Sequence, residues 1–229
     1  MIDYTVISIG ALAANDLWGE RAPVRTGHAT TTLITCGKRR ILVDPGLPEQ
    51  VITARLHERT GLAPEAITDV FLTSFSPDAR RGLMGFRHAA WWIAPQERES
   101  AGVPLAGQLA RMSQDEEADE EIKGALEQAV AILKRCQPAP DELAKGLTLF
   151  PLAGVTPGMA GLMIETSRYG VLVCGDAVPT AAHLERGQVL PEAADIEAAR
   201  NSLAEAVEVA DFLVCGRDNV VPNLARQVF

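Results

Sequence analysis

The sequence predicts an α/β fold in which helices cover the sheets. Short runs rich in apolar and β-branched residues, such as TTTLITC, DVFLTSF and YGVLVC, are typical of strands. Gly and Pro residues and segments with helical spacing separate these runs along the chain. Because strands and helical segments alternate, we expect a mixed α/β architecture with helices packed on the sheets.

Length and composition favour a single domain. The 229 residues, 47% of them hydrophobic, suffice for one well-buried core or for one two-layer domain of two similar halves. We therefore expect residues 1–229 to form one domain. The net charge of −9 argues against nucleic acids and anionic membranes as partners, because no basic stripe is present to bind phosphate groups.

The sequence carries no sign of export or of membrane insertion. No apolar run reaches the roughly 18 residues of a membrane span, and the first residues, MIDYTVISIG, lack a signal-peptide pattern. We therefore expect a cytoplasmic protein with reduced thiols. The cysteines are spaced singly, without the CxxC or CxxH spacing of a structural zinc site or a redox pair: Cys36, Cys136, Cys174 and Cys215.

Turn residues locate two hairpins and two helices. TTTLITCGKRRILVDPG is expected to turn at Gly37-Lys38, and SRYG to form a turn between MIET and VLVCGD. A helix over Val51–Thr60 should end at Gly61. A later helix should present one apolar face to the sheets, formed by Ile196, Ala199, Leu203, Val207 and Ala210.

The stretch 97–143 differs from the rest and is expected to be a helical insertion. Its acidic run, DEEADEE, is favoured at a helix N-terminus by the helix dipole. The apolar residues that follow recur about every four positions, as on one helix face. They are Ile122, Leu126, Val130 and Leu133.

Candidate functional residues lie after four apolar strands. The runs ILVDPG, VFLTSFSPDARRG, VLVCGDAVP and FLVCGRDNVVP each carry an aspartate in the loop: Asp44, Asp78, Asp176 and Asp218. A single aspartate at such a position is most often a turn or cap residue. Because sites in layered α/β proteins form from loops at strand ends, the four together predict one shared pocket.

The order and content of these segments resemble the metallo-β-lactamase superfamily over nearly the whole chain. The family's THxHxDH signature is matched by residues 73–82 (TSFSPDARRG), and its PGHTPGH signature by residues 153–159 (AGVTPGM). Its GD motif is matched by residues 175–176, its PGHD motif by residues 215–218 (CGRD), and its DxG motif by residues 44–46 (DPG). The resemblance implies a four-layer αβ/βα sandwich.

The resemblance also implies a set of zinc-ligand positions, most of which lack a ligand in this chain. The family's five ligand histidines fall on Ser74, Ser76, Ala79, Val155 and Arg217. The two aspartate positions are retained as Asp78 and Asp176. Because hydroxyl and aliphatic groups are poor zinc ligands, the pattern predicts a degenerate metal site and no zinc cofactor.

The histidines of this chain fall outside the ligand positions. His57 lies in the predicted helix, and His88 is expected to be structural. His28 and His183 lie in predicted loops, and we keep them as pocket candidates together with Asp44 and Asp218.

Arg217 is the candidate replacement for the metal ion. Without a cation, Asp78 and Asp176 would repel each other in a shared pocket. A guanidinium at the late histidine position could form paired hydrogen bonds with a carboxylate. We therefore hypothesise that Arg217 lies beside both aspartates and replaces the charge of the ion.

Three classes of function are consistent with these residues. The favoured class is a degenerate family member that binds or regulates an unknown small molecule or protein, with homo-oligomerisation left open. The second is a hydrolase that holds a hard cation such as Mg²⁺ with the four loop aspartates. The third is a metal-free hydrolase with Ser74 or Ser76 as nucleophile, for which the sequence offers no base.

Overall fold

Two mixed β-sheets form the centre of the computed structural model, which describes residues 2–114 and 119–224. The first sheet has the order β1-β2-β3-β4-β5-β6. Its strands are β1 (Ile2–Ser8), β2 (Thr31–Cys36), β3 (Arg39–Val43), β4 (Asp69–Leu72), β5 (Ala90–Ile93) and β6 (Gln137–Pro138). The second sheet has the order β12-β11-β10-β9-β8-β7. Its strands are β7 (Glu142–Ala144), β8 (Leu147–Pro151), β9 (Ala160–Glu165), β10 (Gly170–Gly175), β11 (Phe212–Cys215) and β12 (Val220–Pro222).

Helices connect the strands and cover the sheets. They are α1 (Glu49–Thr60), α2 (Pro77–Arg80), α3 (Pro95–Met112), α4 (Glu120–Arg135), α5 (Ala181–Arg186) and α6 (Ile196–Val209). Short 3₁₀ turns lie at Asp16–Trp18, Pro64–Ala66 and Leu83–Phe86. Within residues 2–114 and 119–224, no helix combines the length and the apolar character needed to cross a bilayer.

Alternating side chains on the strands build three apolar layers. Phe71 in β4 packs between the two sheets, whereas its neighbours Val70 and Leu72 face the helices on the first sheet. In β10, Val173 points between the sheets and Leu172 points towards α6. Because α1 and α4 cover one outer face and α6 the other, the fold is the expected four-layer αβ/βα sandwich.

Both predicted hairpins are confirmed. Strands β2 and β3 pair antiparallel around Gly37, whose φ of 59° suits a glycine turn, and β9 pairs antiparallel with β10 across residues 166–169. Helix α1 ends at Gly61 in the left-handed conformation, as predicted. It begins at Glu49 rather than at Val51, because the preceding Pro48 serves as its N-cap.

The region 97–143 is largely helical, with α3 packed against α4. Asp119 caps α4 by accepting hydrogen bonds from the backbone N–H groups of Glu121 and Ile122. The first part of the acidic run, residues 115–118, lies outside the described residues. The predicted apolar face is correct at Leu133 but wrong at Ile122, which is 54% exposed, because only the C-terminal half of α4 lies on the core.

The cysteines are free thiols, as expected. Cys136, Cys174 and Cys215 are buried, and Cys36 is half-buried. Burial raises the pKa of Cys136 to about 11, so this thiol stays protonated at neutral pH.

Candidate functional site

Parallel strand pairs bring the candidate loops to one edge of each sheet. Strands β3 and β4 run parallel in the first sheet, and β10 and β11 run parallel in the second. The chain leaves parallel neighbours at the same end, where sites of layered α/β proteins form. The loops after these strands carry Asp44, Asp78, Asp176 and Arg217.

Arg217 lies between Asp78 and Asp176 and bonds to both carboxylates. Its Nε donates to Asp176 Oδ1 and its Nη2 donates to Asp176 Oδ2, both at 2.7 Å. Its Nη1 donates to Asp78 Oδ2, also at 2.7 Å. The two parallel bonds to Asp176 are the geometry that a planar guanidinium offers to a carboxylate. The hypothesised juxtaposition of these three residues is therefore present in the structure.

The charges of this network balance. The other carboxylate oxygen of Asp78, Oδ1, accepts a hydrogen bond from Arg81 at 3.0 Å. Two guanidinium groups therefore face two carboxylates. The Arg217 side chain is 7% exposed, and burial by itself would lower its pKa. The charges and hydrogen bonds of Asp176 and Asp78 outweigh burial and raise the pKa of Arg217 above its ordinary value.

Close backbone packing fixes the position of Arg217. A Cβ atom on the preceding Gly216 would lie 2.4 Å from the carbonyl carbon of Gly175, so only glycine fits between the two loops. The Arg217 N–H donates to the Pro179 carbonyl at 2.7 Å, and the Gly216 carbonyl accepts from the Thr30 N–H at 2.7 Å. The guanidinium therefore projects from a backbone that is held on both sides.

An open cleft of about 500 Å³ lies over this network. Asp78, Asp176 and Arg217 line its floor together with Ser76 and Val155. The segment 12–23, which follows β1, lines another side of the cleft with a mixture of apolar and charged side chains. The cleft has room for a small molecule.

The four remaining positions predicted from the family pattern are Ser74, Ser76, Ala79 and Val155, of which Ser76 and Val155 line the cleft with Arg217. Ser74 is buried, and its hydroxyl accepts a weak hydrogen bond from the Ser76 N–H at 3.4 Å. The Ser76 hydroxyl is buried and has no hydrogen-bond partner among the described residues. Ala79 is buried in α2, and Val155 is half-buried at the cleft.

Asp44 lies behind the cleft rather than in it. It is 3% exposed, and its two oxygen atoms accept hydrogen bonds from the Thr73 N–H at 2.9 Å and from the Thr73 hydroxyl at 2.7 Å. Burial raises the pKa of Asp44 to about 7, against the lowering effect of these bonds. Its φ of 48° lies in the left-handed region, which aspartate and asparagine tolerate better than most residues.

Asp218 acts as a turn and cap residue. Its Oδ2 accepts from the Ala181 N–H at 3.2 Å at the start of α5, and its Oδ1 accepts from the Asn219 N–H at 2.8 Å. Within the described residues, the four loop aspartates therefore do not form one carboxylate cluster. Of the four, only Asp78 and Asp176 share the cleft with Arg217.

The two candidate histidines lie outside the cleft. His28 has its ring nitrogens near the backbone carbonyl oxygens of Thr26, at 3.3 Å, and Ile9, at 3.2 Å. His183 lies in α5 and not in the predicted loop; it is buried, and its Nδ1 shares a 2.8 Å hydrogen bond with the Thr180 hydroxyl. Burial lowers the pKa of His183 despite the nearby Asp16 carboxylate, so the ring is neutral at neutral pH.

Glu97 is a structural member of the site that the sequence patterns did not indicate. It lies in the first turn of α3 and is 2% exposed. Its carboxylate accepts from the Phe75 N–H at 2.8 Å and from the Thr156 hydroxyl at 2.7 Å. It thereby ties the loop that carries Ser74, Ser76 and Asp78 to the loop that carries Val155. A glutamate two residues after a helix-starting proline is too common a pattern to single out.

The described residues contain no group of three or more His, Cys, Asp or Glu side chains arranged to hold a metal ion. The Arg217 network contributes two carboxylates, and both accept hydrogen bonds from arginines. The arrangement can bind charged groups of a ligand and can hold the surrounding loops.

The comparisons with known proteins agree with the fold. The family model for the metallo-β-lactamase superfamily matches residues 24–216, and the chain belongs to this superfamily. A solved protein from Thermotoga maritima, assigned to the metallo-β-lactamases, superposes with a TM-score of 0.68 at 15% identity, covering 96% of this chain and 99% of that one.

Two further solved proteins are also similar in fold. AidC, a dizinc quorum-quenching lactonase, has a TM-score of 0.63 at 16% identity and covers 90% of this chain and 80% of its own. The AiiA protein of B. thuringiensis, solved as a point mutant with N-decanoyl-L-homoserine bound at the active site, has a TM-score of 0.60 at 19% identity. That match covers 90% of this chain and 87% of AiiA. Comparison with curated proteins gives no significant match.

Proposed function

We propose that this chain is a catalytically degenerate superfamily member in which the Arg217 network takes the position of the metal centre and the cleft serves binding or regulation. The observation that carries the proposal is the set of three 2.7 Å hydrogen bonds from Arg217 to Asp176 and Asp78. These carboxylates match the family's aspartate ligand positions. A guanidinium bonded to them competes with a metal ion for the same oxygen atoms.

The residues at the five histidine positions do not fit a zinc ion. Ser74 and Ser76 offer neutral hydroxyl groups, and Ala79 and Val155 offer only hydrocarbon. Zinc in proteins takes about four ligands, mostly imidazole, thiolate and carboxylate groups. The two aspartates are the remaining ordinary ligands, and arginines already bind them. No hydrolytic step through zinc follows from this set of donors.

An arginine cannot supply the chemistry that a metal ion supplies. A bound metal ion lowers the pKa of its water to roughly 7 and polarises the substrate. Arg217 carries a positive charge, but each of its three nitrogens already donates to a carboxylate. The network can position loops and attract a ligand, but it does not generate hydroxide. Binding or regulation is therefore the function that the geometry favours over hydrolysis.

The two alternative functions lack a supporting contact. A hard-cation site would need the four loop aspartates together, yet Asp44 binds Thr73 and Asp218 caps α5. A serine hydrolase would need a base beside Ser74 or Ser76, and no histidine lines the cleft. Neither alternative is preferred over a binding role.

A metal titration compares the wild type with Arg217→Ala. Removing the Arg217 guanidinium leaves Asp176 without its cation and Asp78 with Arg81 alone, so Zn²⁺ or Mg²⁺ should raise the melting temperature of the variant. In the wild type, the same titration should give no saturable increase. Saturable stabilisation of the wild type by zinc would contradict the proposal, and stabilisation by magnesium alone would favour the hard-cation hydrolase.

A further inference from the structure

A second cavity, of about 510 Å³, lies between β1 and α1, apart from the Arg217 cleft. Its polar lining consists of Ser8, His28, Arg55, Arg59 and Asn219. None of the described residues that line it is acidic, although the chain as a whole has a net charge of −9. The cavity is therefore a locally basic site on an acidic protein.

The two arginines lie on one stripe of α1. Val51, Arg55 and Arg59 are spaced four residues apart, so their side chains follow one another along a single helix face. The Arg55 guanidinium is shared with Glu58 in an exposed ion pair at 2.8 Å. Arg59 has no ion pair or hydrogen bond through its guanidinium among the described residues. The Arg59 guanidinium is thus available to a ligand, and the Arg55 guanidinium is held only by a weak exposed ion pair.

Two residues that line this cavity, Ser8 and His28, carry unsatisfied or poorly satisfied polar groups. The Ser8 hydroxyl is buried and has no hydrogen-bond partner in the described part of the chain. The two ring nitrogens of His28 both face carbonyl oxygens, at 3.2 and 3.3 Å. Because carbonyl oxygens only accept, a neutral imidazole ring can donate to only one of them.

The remaining wall of the cavity is apolar. Val6, Ile7, Ile9, Leu47 and Val51 line it. Ile9 is 50% exposed and Val51 is 44% exposed, which is unusual for large apolar side chains on this protein. A ligand that covered them would gain from their burial while its charged end met the arginines.

We propose that this cavity binds a small organic anion, a carboxylate or phosphate group attached to an apolar body. The charge selects the anion, the Ser8 hydroxyl supplies a buried donor, and the apolar wall accepts the hydrocarbon part. The site does not depend on the proposed role of the Arg217 network.

Isothermal titration calorimetry of the full chain with octanoate and octyl phosphate, below their critical micelle concentrations, tests the proposal. At least one of the two should bind at one site per chain, and the preference between them identifies the head group. Octanol and octylamine have the same apolar body without the negative charge and should bind more weakly. Equal binding of octanol, or no binding of either anion, would overturn the proposal.

Matched variants locate the site. Arg59→Glu should weaken anion binding about tenfold or more, the scale of one lost charge-assisted hydrogen bond. Arg200→Glu makes the same change of charge on the exposed surface of α6 and should leave binding unchanged. Equal effects of the two variants would show that overall charge, and not this cavity, governs binding.

A Ser8→Ala variant separates binding from folding. Because the hydroxyl has no partner in the described residues, its removal should leave the melting temperature unchanged or raise it. The same variant should weaken binding of the anion. Unchanged affinity in Ser8→Ala would exclude the hydroxyl from the site and contradict this part of the proposal.

Discussion

The guanidinium of Arg217 has five N–H groups in one plane, and each of its three nitrogens meets a carboxylate oxygen. Asp176 takes two of these bonds and Asp78 takes the third. A lysine at this position would present a single compact charge and could not span both carboxylates with fixed geometry. The site therefore depends on arginine in particular and not only on a positive charge.

Replacing Arg217 with methionine should lower the free energy of unfolding by about 3 kcal/mol, because it leaves a buried carboxylate without its partner. Arg200→Met, on the exposed surface of α6, is the matched control and should cost little. Urea denaturation measures both.

A triple variant distinguishes loss of charge pairing from loss of packing. Arg217→Met combined with Asp78→Asn and Asp176→Asn leaves no buried charge unpaired, since Arg81 is partly exposed, so it should regain much of the lost stability. If the triple variant is no more stable than Arg217→Met, the ion pairs do not explain the loss.

Asp44 should make the stability of the fold depend on pH. Its pKa is about 7 in the folded chain, against an ordinary value of 3.8. Between these pH values the folded carboxyl keeps a proton that the unfolded chain has released. Rising pH therefore favours unfolding, by up to roughly 1.4 kcal/mol per pH unit from this group.

Asp44→Asn is the matched variant for this prediction. Asparagine cannot ionise, and it tolerates the left-handed backbone conformation at this position. Relative to the wild type, the variant should gain stability progressively from about pH 4 to about pH 7, the interval between the two pKa values of Asp44. Denaturation curves for the two proteins that stay parallel over this range would contradict the assigned titration.

Some of these residue contacts were predictable and others were not. Asp78, Asp176 and Arg217 each follow an apolar strand and match one family motif, so their meeting could be expected from the sequence. Asp78 also binds Arg81. The sequence does not show whether Arg80 or Arg81 makes this contact, because the choice depends on the local backbone. The sequence does not distinguish the capping role of Asp218 from a role in the pocket, because a cap aspartate and a pocket aspartate have the same sequence pattern.

At the scale of elements, the N-terminus of α3 organises two loops of the cleft. Glu97 on its first turn bonds to the backbone of Phe75 and to the Thr156 hydroxyl. Its packing is close, because a Cβ on Gly158 would lie 2.1 Å from the Glu97 backbone nitrogen. The helical region 97–143 therefore supports the site and does not merely cover a sheet. Its origin as an insertion stays a prediction.

Glu97→Ala should destabilise the fold by about 1–3 kcal/mol, since it leaves the buried N–H of Phe75 and the half-buried hydroxyl of Thr156 without their acceptor. Glu97→Gln keeps one carbonyl oxygen as an acceptor and should cost less. Glu99→Ala, on the exposed side of the same helix, is the control and should be nearly neutral. Similar losses of stability for Glu97→Ala and Glu99→Ala would show that Glu97 does not hold the two loops.

At the scale of the whole molecule, the layered architecture followed from the sequence, but the packing of polar side chains did not. Continuous apolar strands such as β4 and β10 indicate burial on both faces, with successive side chains pointing alternately to the opposite sheet and to a helix. The apolar periodicity of α4 predicted which face of the helix is buried, but not how far along the helix the burial extends. The basic cavity between β1 and α1 joins residues from distant segments, and no local pattern indicates such a cavity.

The metal content of the protein tests most directly whether Arg217 replaces the metal centre. The chain should be expressed in zinc-supplemented medium, purified without chelator and measured by elemental analysis, with a dizinc member of the superfamily prepared in parallel. We expect far less than one zinc ion per chain, because Arg217 occupies the carboxylates of the site. One or two zinc ions per chain, retained through purification, would contradict this replacement.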